Sequence, residues 1–198
     1  MGELLNCCNE YLERIEPVDR DIVHKEGIWH KTSHVWLYDE EGYVYFQVRA
    51  DADKLYTSAS GHVRAGEDPR YTGLRETAEE LGFRIDGEDK LELIEIDAWK
   101  LDNEVKHDHA FAYIYICKIP VNYSSFSVDP NEVSDVIKIK AKDLLSYLIG
   151  LPFPCEQFDV HNNKLKHNKD LLLMDGEVSV LKYGRILKAV VDRTGEIK

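Results

Sequence analysis

The stretch from Gly61 to Phe83, GHVRAGEDPRYTGLRETAEELGF, constrains this chain more than any other. It contains a short helix whose two ends are written locally. Asp68 is a good N-cap, Pro69 takes the first helical position where its missing N–H costs nothing, and Gly82 supplies a left-handed terminator. The predicted helix spans 69–81, with Leu74, Ala78 and Leu81 at i, i+4 and i+7 as its buried stripe. Glu76, Glu79 and Glu80 stand at i, i+3 and i+4, so their carboxylates converge on a different face. Arg75 lies four residues before Glu79 and can brace it.

Like charges at this spacing repel, and the chain is already acidic, with 37 Asp and Glu against 25 Lys and Arg and a formal net charge of −12. Either the glutamates form a solvated face or a cation lies among them. Hard oxygen ligands in this pattern suit Mg²⁺ or Mn²⁺, which take a few carboxylates, several waters and a substrate phosphate. The same charge balance argues against unassisted binding to a nucleic-acid polymer, which needs clustered Lys and Arg. An anionic substrate would need a cation to mediate.

At 198 residues and 43% hydrophobic content, the chain suits one medium domain with an appendage. No apolar run approaches the ~20 residues of a membrane span. The acidic N-terminal stretch lacks the basic region of a secretory signal. Cys7, Cys8, Cys117 and Cys155 show no CxxC or metal-finger spacing. They read as small buried hydrophobes of a reducing, cytoplasmic protein.

Apolar spacing over 3–16 predicts a short helix, broken by Pro17. Thr32–Asp39 and Tyr43–Ala50 predict a hairpin about DEEG, and Leu55–Ser60 a short strand feeding the acidic helix. Beyond the helix, Leu91–Leu101, His109–Ile119 and Val136–Ile139 predict strands, and Ala141–Ile149 a helix. GLPFPCEQF is a proline-marked joint, and Val180, Leu181, Ile186, Leu187, Val190 and Val191 form the stripe of a closing helix. Strands on both sides of a central helix predict a mixed α/β (α+β) sheet sandwiched between helices.

The acidic stretch resembles the Nudix box, G-x(5)-E-x(7)-R-E-U-x-E-E-x-G-U with U bulky and aliphatic. Gly61, Glu67, Arg75, Glu76, Glu79, Glu80, Gly82 and Phe83 meet it, and Thr77 at the first U position is its one departure. At several per cent usage per residue type, the seven fixed identities coincide by chance about once in ~10⁸ starting positions. The resemblance implies a Nudix-type sheet over 1–150, with residues 151–198 as an extension packing on the same domain. It implies a hydrolase that uses Mg²⁺ or Mn²⁺ on a small-molecule diphosphate substrate, such as a nucleoside diphosphate derivative. Glu76, Glu79 and Glu80 would ligate metal and supply or assist the base. Arg75 would orient them, Glu67 would add an outer ligand or hydrogen bond, and Ser60 would offer its backbone carbonyl. Glu132 and Asp135 could supply a base from a later loop, or be solvated loop charges, and the second reading is preferred.

A narrower resemblance, over GIWHKTSHVWLYDEEGYVYFQVRADADKLYTSASGHVRAGE, is to the isopentenyl-diphosphate-isomerase-like branch. In those isomerases, histidines and an E-N-E segment hold a metal. The matching positions are His24, His30, His62 and the DNE of Asp102–Glu104. The catalytic cysteine of the isomerases falls at Ser60, whereas the box glutamates, degenerate in the isomerases, are intact here. The resemblance therefore implies a hydrolase on an isomerase-like frame, with the isomerase and a non-catalytic ligand sensor as the other two readings. The last fifty residues either cap the pocket or form a contact between two copies in a homodimer.

Overall fold

A computed structural model of the chain describes residues 2–104, 107–151, 155–170 and 176–195, with the backbone alone over 176–182. The elements in chain order begin with β1 (Leu4–Leu5), β2 (Val18–Asp19) and α1 (Arg20–Glu26). There follow β3 (His30–Tyr38), β4 (Tyr43–Arg49), β5 (Leu55–Tyr56), β6 (Ala59–His62) and α2 (Pro69–Leu81). The second half holds β7 (Glu92–Asp102), β8 (His107–Lys118), β9 (Val133–Lys140), α3 (Ala141–Leu148), β10 (Gln157–Asp159) and α4 (Gly176–Thr194). Among the described residues no helix is long and apolar enough to cross a membrane.

The main sheet runs β10-β9-β4-β3-β8-β7, parallel only between β3 and β8. Both faces are covered, so β3 is buried almost continuously. Trp36 and Tyr38 face a core shared with Leu144 of α3 and Ile186, Leu187, Val190 and Val191 of α4. Val35 and Leu37 face the opposite core, with Leu81 of α2 and Tyr115 and Cys117 of β8. The extension beyond 150 thus enters the sheet through β10 on β9 and the core through α4. The side chains of Val180 and Leu181, and residues 152–154 of the proline-marked joint, lie outside the described residues.

A split between β3 and β4 organises the site. These strands pair only at Leu37↔Tyr45 and Tyr38↔Val44. Beyond that point β6 pairs with β3 through Val35↔Ala59 to Thr32↔His62, while β5 pairs with β4 through Gln47↔Tyr56 and Val48↔Leu55. The single strand predicted over 55–60 is therefore two strands on different partners. Ser58 sits at the crossing, where its hydroxyl accepts from Leu37 N–H at 2.8 Å and donates to the Tyr45 carbonyl. One side chain thus satisfies two backbone groups that the separated strands leave to each other no longer.

The predicted helix over 3–16 is not formed. Asn9 Oδ1 instead accepts from the Tyr11 and Glu13 amides at 3.0 and 2.9 Å, and Leu12 takes a left-handed φ of 66°. This local turn competes with helix, as Asn side chains do. The flanking backbone is tied to distant strands, by the antiparallel pair of β1 with β2 and by bridges of Leu5 to Arg64 and Cys7 to His30. α1, a helix too short to show a periodic stripe, carries its own end signals. Asp19 caps it by accepting from Asp21 N–H, and Gly27 ends it at φ 65°.

Candidate metal and diphosphate site

The limits of α2 match the local signals. Asp68 accepts from Arg70 N–H at 2.8 Å, and Gly82 has φ 62°. Its buried side differs by a step from the predicted stripe, being Gly73, Thr77 and Leu81 with Leu74 half-buried. A Cβ on Gly73 would lie 3.0 Å from both Ser33 Oγ and Val35 Cγ2, so the glycine sets how closely α2 lies on β3. Thr77, the departure from the box, donates its hydroxyl to the Gly73 carbonyl at 2.7 Å and so buries no unmet polar group.

Arg75 gathers the acidic residues. Its guanidinium bonds both oxygens of Glu67 at 3.1 Å, lies 2.8 Å from Glu76 Oε1 and 2.9 Å from Glu79 Oε2, and donates to the His62 carbonyl at 3.3 Å. Burial works against its charge, but these carboxylates hold its pKa above the ordinary value. Glu67 also accepts from the Thr72 hydroxyl at 2.8 Å. Burial alone would raise the Glu67 carboxyl; the bonds from Arg75 and Thr72 take it below its usual range.

Glu80 is 7% exposed and lies where the split opens, accepting from Ser60 N–H at 3.0 Å and from Gln47 Nε2 at 3.3 Å. In an antiparallel strand the N–H and C=O of one residue point to the same side. The carbonyl of Ser60 is therefore on the Glu80 side, as that of His62 is on the Arg75 side. Gly61 lies between them because a Cβ there would fall on the Glu76 carboxylate. Burial pushes Glu80 up to about 8, helped by the charges of Glu76 and Glu132 and opposed by the Ser60 amide. Burial likewise pushes Glu76 up to about 7, against Arg75 and with Glu79.

The three glutamates line a cavity of about 530 Å³, within the range of small-molecule sites. Ser60, His62 and Glu132 also line it, whereas Asp135 is exposed on β9 and bonds the amide of its neighbour Val136.

A second cluster adjoins the first. His24 of α1, His30 of β3 and His62 of β6 bring ring nitrogens within 4.8 Å of one another, with His62 Nε2 and His24 Nε2 3.2 Å apart. His30 Nδ1 lies 3.2 Å from the Ile28 carbonyl, which assigns the proton to Nδ1 and turns Nε2 toward the cluster. The carboxylate that meets them is Asp108, whose Oδ1 is 3.5 Å from His30 Nε2 and 3.7 Å from His24 Nε2. The isomerase-like resemblance implies Asp102 and Glu104 at this position. Asp102 instead joins His107 and His109, each at 2.8 Å, and Glu104 is exposed in the turn after β7. Asp108 alternates with His107 and His109 on β8, and the pairing of His30 with Ala110 sets the buried histidine on the face that Asp108 shares.

Residues 29–150, more than half of the chain, match the model of the NUDIX domain. An uncharacterised Nudix hydrolase of Clostridium acetobutylicum is 30% identical over 206 residues, covering 96% of this chain and 98% of that protein. An isopentenyl-diphosphate Delta-isomerase of Serratia proteamaculans is 28% identical over 102 residues, covering 48% of this chain and 54% of that one. A crystal structure from Deinococcus radiodurans superposes with a TM-score of 0.57 at 16% identity, covering 95% of this chain and 99% of that one, a likeness of fold. The mixed sheet, the capped Glu-rich helix and this agreement over nearly the full length place the chain in the Nudix hydrolase family.

Proposed function

We propose that the chain cleaves a diphosphate bond in a nucleoside diphosphate derivative or related small molecule, with Mg²⁺ or Mn²⁺ held by Glu76, Glu79, Glu80 and the Ser60 carbonyl. The observation that carries this reading is the pair of buried carboxylates Glu76 and Glu80, both displaced upward by burial and lining one cavity with Ser60. Carboxyls that burial keeps protonated would give up their protons to a divalent cation, which supplies the compensating charge. The donor set is all oxygen, as a hard ion prefers. When bound, such an ion neutralises substrate phosphate and lowers the pKa of a coordinated water.

The residues of the chain divide the remaining work. Arg75, anchored by Glu67, holds Glu76 and Glu79 in place. Glu80 is held in position by the Ser60 amide and Gln47, and whichever of the three glutamates the metal leaves free would take the proton of an attacking water. Glu132, at the cavity rim, is the second group that could take this proton. The histidine cluster with Asp108 supports a further cation position, of the imidazole-rich kind that suits Zn²⁺ or Mn²⁺.

That cluster also favours a second reading, an isopentenyl-diphosphate-type isomerase, against which Ser60 stands in place of the reactive thiol. One experiment separates them. The purified protein is incubated with Mg²⁺ and a panel of nucleotide sugars, dinucleotides, nucleoside triphosphates and isoprenoid diphosphates, with products read by mass spectrometry. Turnover of one diphosphate class, reduced at least 100-fold in Glu80→Gln, is expected. Conversion of isopentenyl diphosphate to its isomer without hydrolysis would overturn the hydrolase reading. Metal-dependent binding with no product would move it to a ligand sensor.

A further inference from the structure

The cavity has a second end whose chemistry the metal site does not use. Its floor there is the sheet face on which Thr32 and His34 of β3 and Trp99 of β7 stand. The register sets Trp99 level with Ala110 and His30, and Thr32 level with Ala112. Two fully buried alanines on the intervening strand keep the floor low between larger neighbours.

Thr32 is 7% exposed, and its hydroxyl meets no hydrogen-bond partner among the described residues. The indole N–H of Trp99 is likewise buried without a partner among them. Buried polar groups in folded proteins are nearly always bonded, and exceptions call for an explanation. Neither group takes part in a network that holds the fold, and both belong to side chains lining the cavity that contains Glu76 and Glu80.

We propose that Thr32 and Trp99 form a specificity subsite for the non-phosphate part of the substrate, and that this part is an oxygen-bearing group of sugar-like chemistry. The indole can only donate, so it asks for an acceptor; the threonine hydroxyl can give or take. A hydrocarbon chain laid here would cover both groups and satisfy neither, whereas the hydroxyl and ring oxygens of a sugar would offer each a partner. A site built to bond a substrate oxygen rejects the analogue lacking it far more strongly than an apolar pocket rejects a misfit. The subsite rests on the hydrolase reading for the position of the diphosphate, and it turns the selectivity of the cavity away from isoprenoid chains.

The test uses the whole chain with Mg²⁺ and two non-cleavable ligands of equal charge, the ribosyl and geranyl esters of methylenediphosphonate. Wild type is expected to bind the ribosyl ester at least tenfold tighter. Trp99→Phe and Thr32→Val each remove about tenfold of that preference and leave the affinity for unesterified methylenediphosphonate unchanged. Because the Thr32 hydroxyl has no hydrogen-bond partner among the described residues, Thr32→Val keeps or raises the Tm of the free protein; a drop would mark a structural role and overturn the proposal. A preference for the geranyl ester, or one that neither variant moves, also overturns it. Failure of methylenediphosphonate itself to bind would instead sink the hydrolase reading. In that case the indole N–H signal of Trp99, identified by its loss in Trp99→Phe, is followed on adding methyl riboside. Its movement supports the subsite and its constancy overturns it.

Discussion

Glu76 and Glu80 hold protons that carboxylates in an unfolded chain would shed. Their folded values of about 7 and about 8 lie above the ordinary 4.5, with burial as the leading cause. The folded state therefore binds more protons than the unfolded one between roughly pH 4.5 and 8, so stability falls as pH rises through that window. Thermal melts in chelator should show Tm declining from about pH 5 to about pH 8, with a shallower decline in Glu80→Gln. Mg²⁺ should restore Tm most at the alkaline end, where both carboxylates are free to ligate. A metal-free Tm that climbs across this range would contradict the burial argument. Residue spacing announced these three glutamates, and the box glycines likewise: Gly61 is glycine because Glu76 lies across it. Spacing could not say that Glu79 stays half-exposed while Glu80 is buried. That follows from which strand edge each carboxylate meets, and Ser60 lies twenty positions from Glu80.

At the scale of elements, the split sheet is what delivers the glutamates. α2 packs through Gly73 on the face of Ser33 and Val35, while the cavity lies with Thr32 and His34 on the other face. The opening between β4 and β6 is where Glu80 meets both strands, through Gln47 and Ser60. Ser58 keeps that opening defined. Ser58→Ala would leave the Leu37 N–H and the Tyr45 C=O buried without their shared partner, at a cost of about 2–4 kcal/mol. Urea unfolding should show the lowered midpoint at unchanged m. A variant within about 0.5 kcal/mol of wild type would mean that the strands close on each other when the bridge is lost. The alternation of residues 43–50 and 109–119 reveals strands by themselves, since period 2 is a local property. The break at Thr57–Ser58 is not local, because both halves of 55–62 have strand composition and only their partners differ.

The molecule as a whole is held by two cores and an N-terminal patch of Leu5, Cys7 and Val23. α4 shares its core with Trp36 of the central strand, and Leu187 is fully buried there. Leu187→Ala should cost about 2–5 kcal/mol and unfold in a single transition, because the cavity it leaves belongs to the core of the main sheet. Two transitions would show that the segment beyond 150 melts as a separate unit. The sequence by itself determined the features whose causes lie within a few residues. These are the caps of α2, the spacing of its glutamates, the alternating strands and the net acidity of the chain. It misjudged 3–16, where apolar spacing suited a helix but pairing with β2, Arg64 and His30 prevailed. Only the tertiary structure decided which acid joins His24, His30 and His62. Asp102 and Asp108 are equally suitable in composition, and the choice fell to Asp108 because strand pairing turns it, and not Asp102, toward the buried histidines.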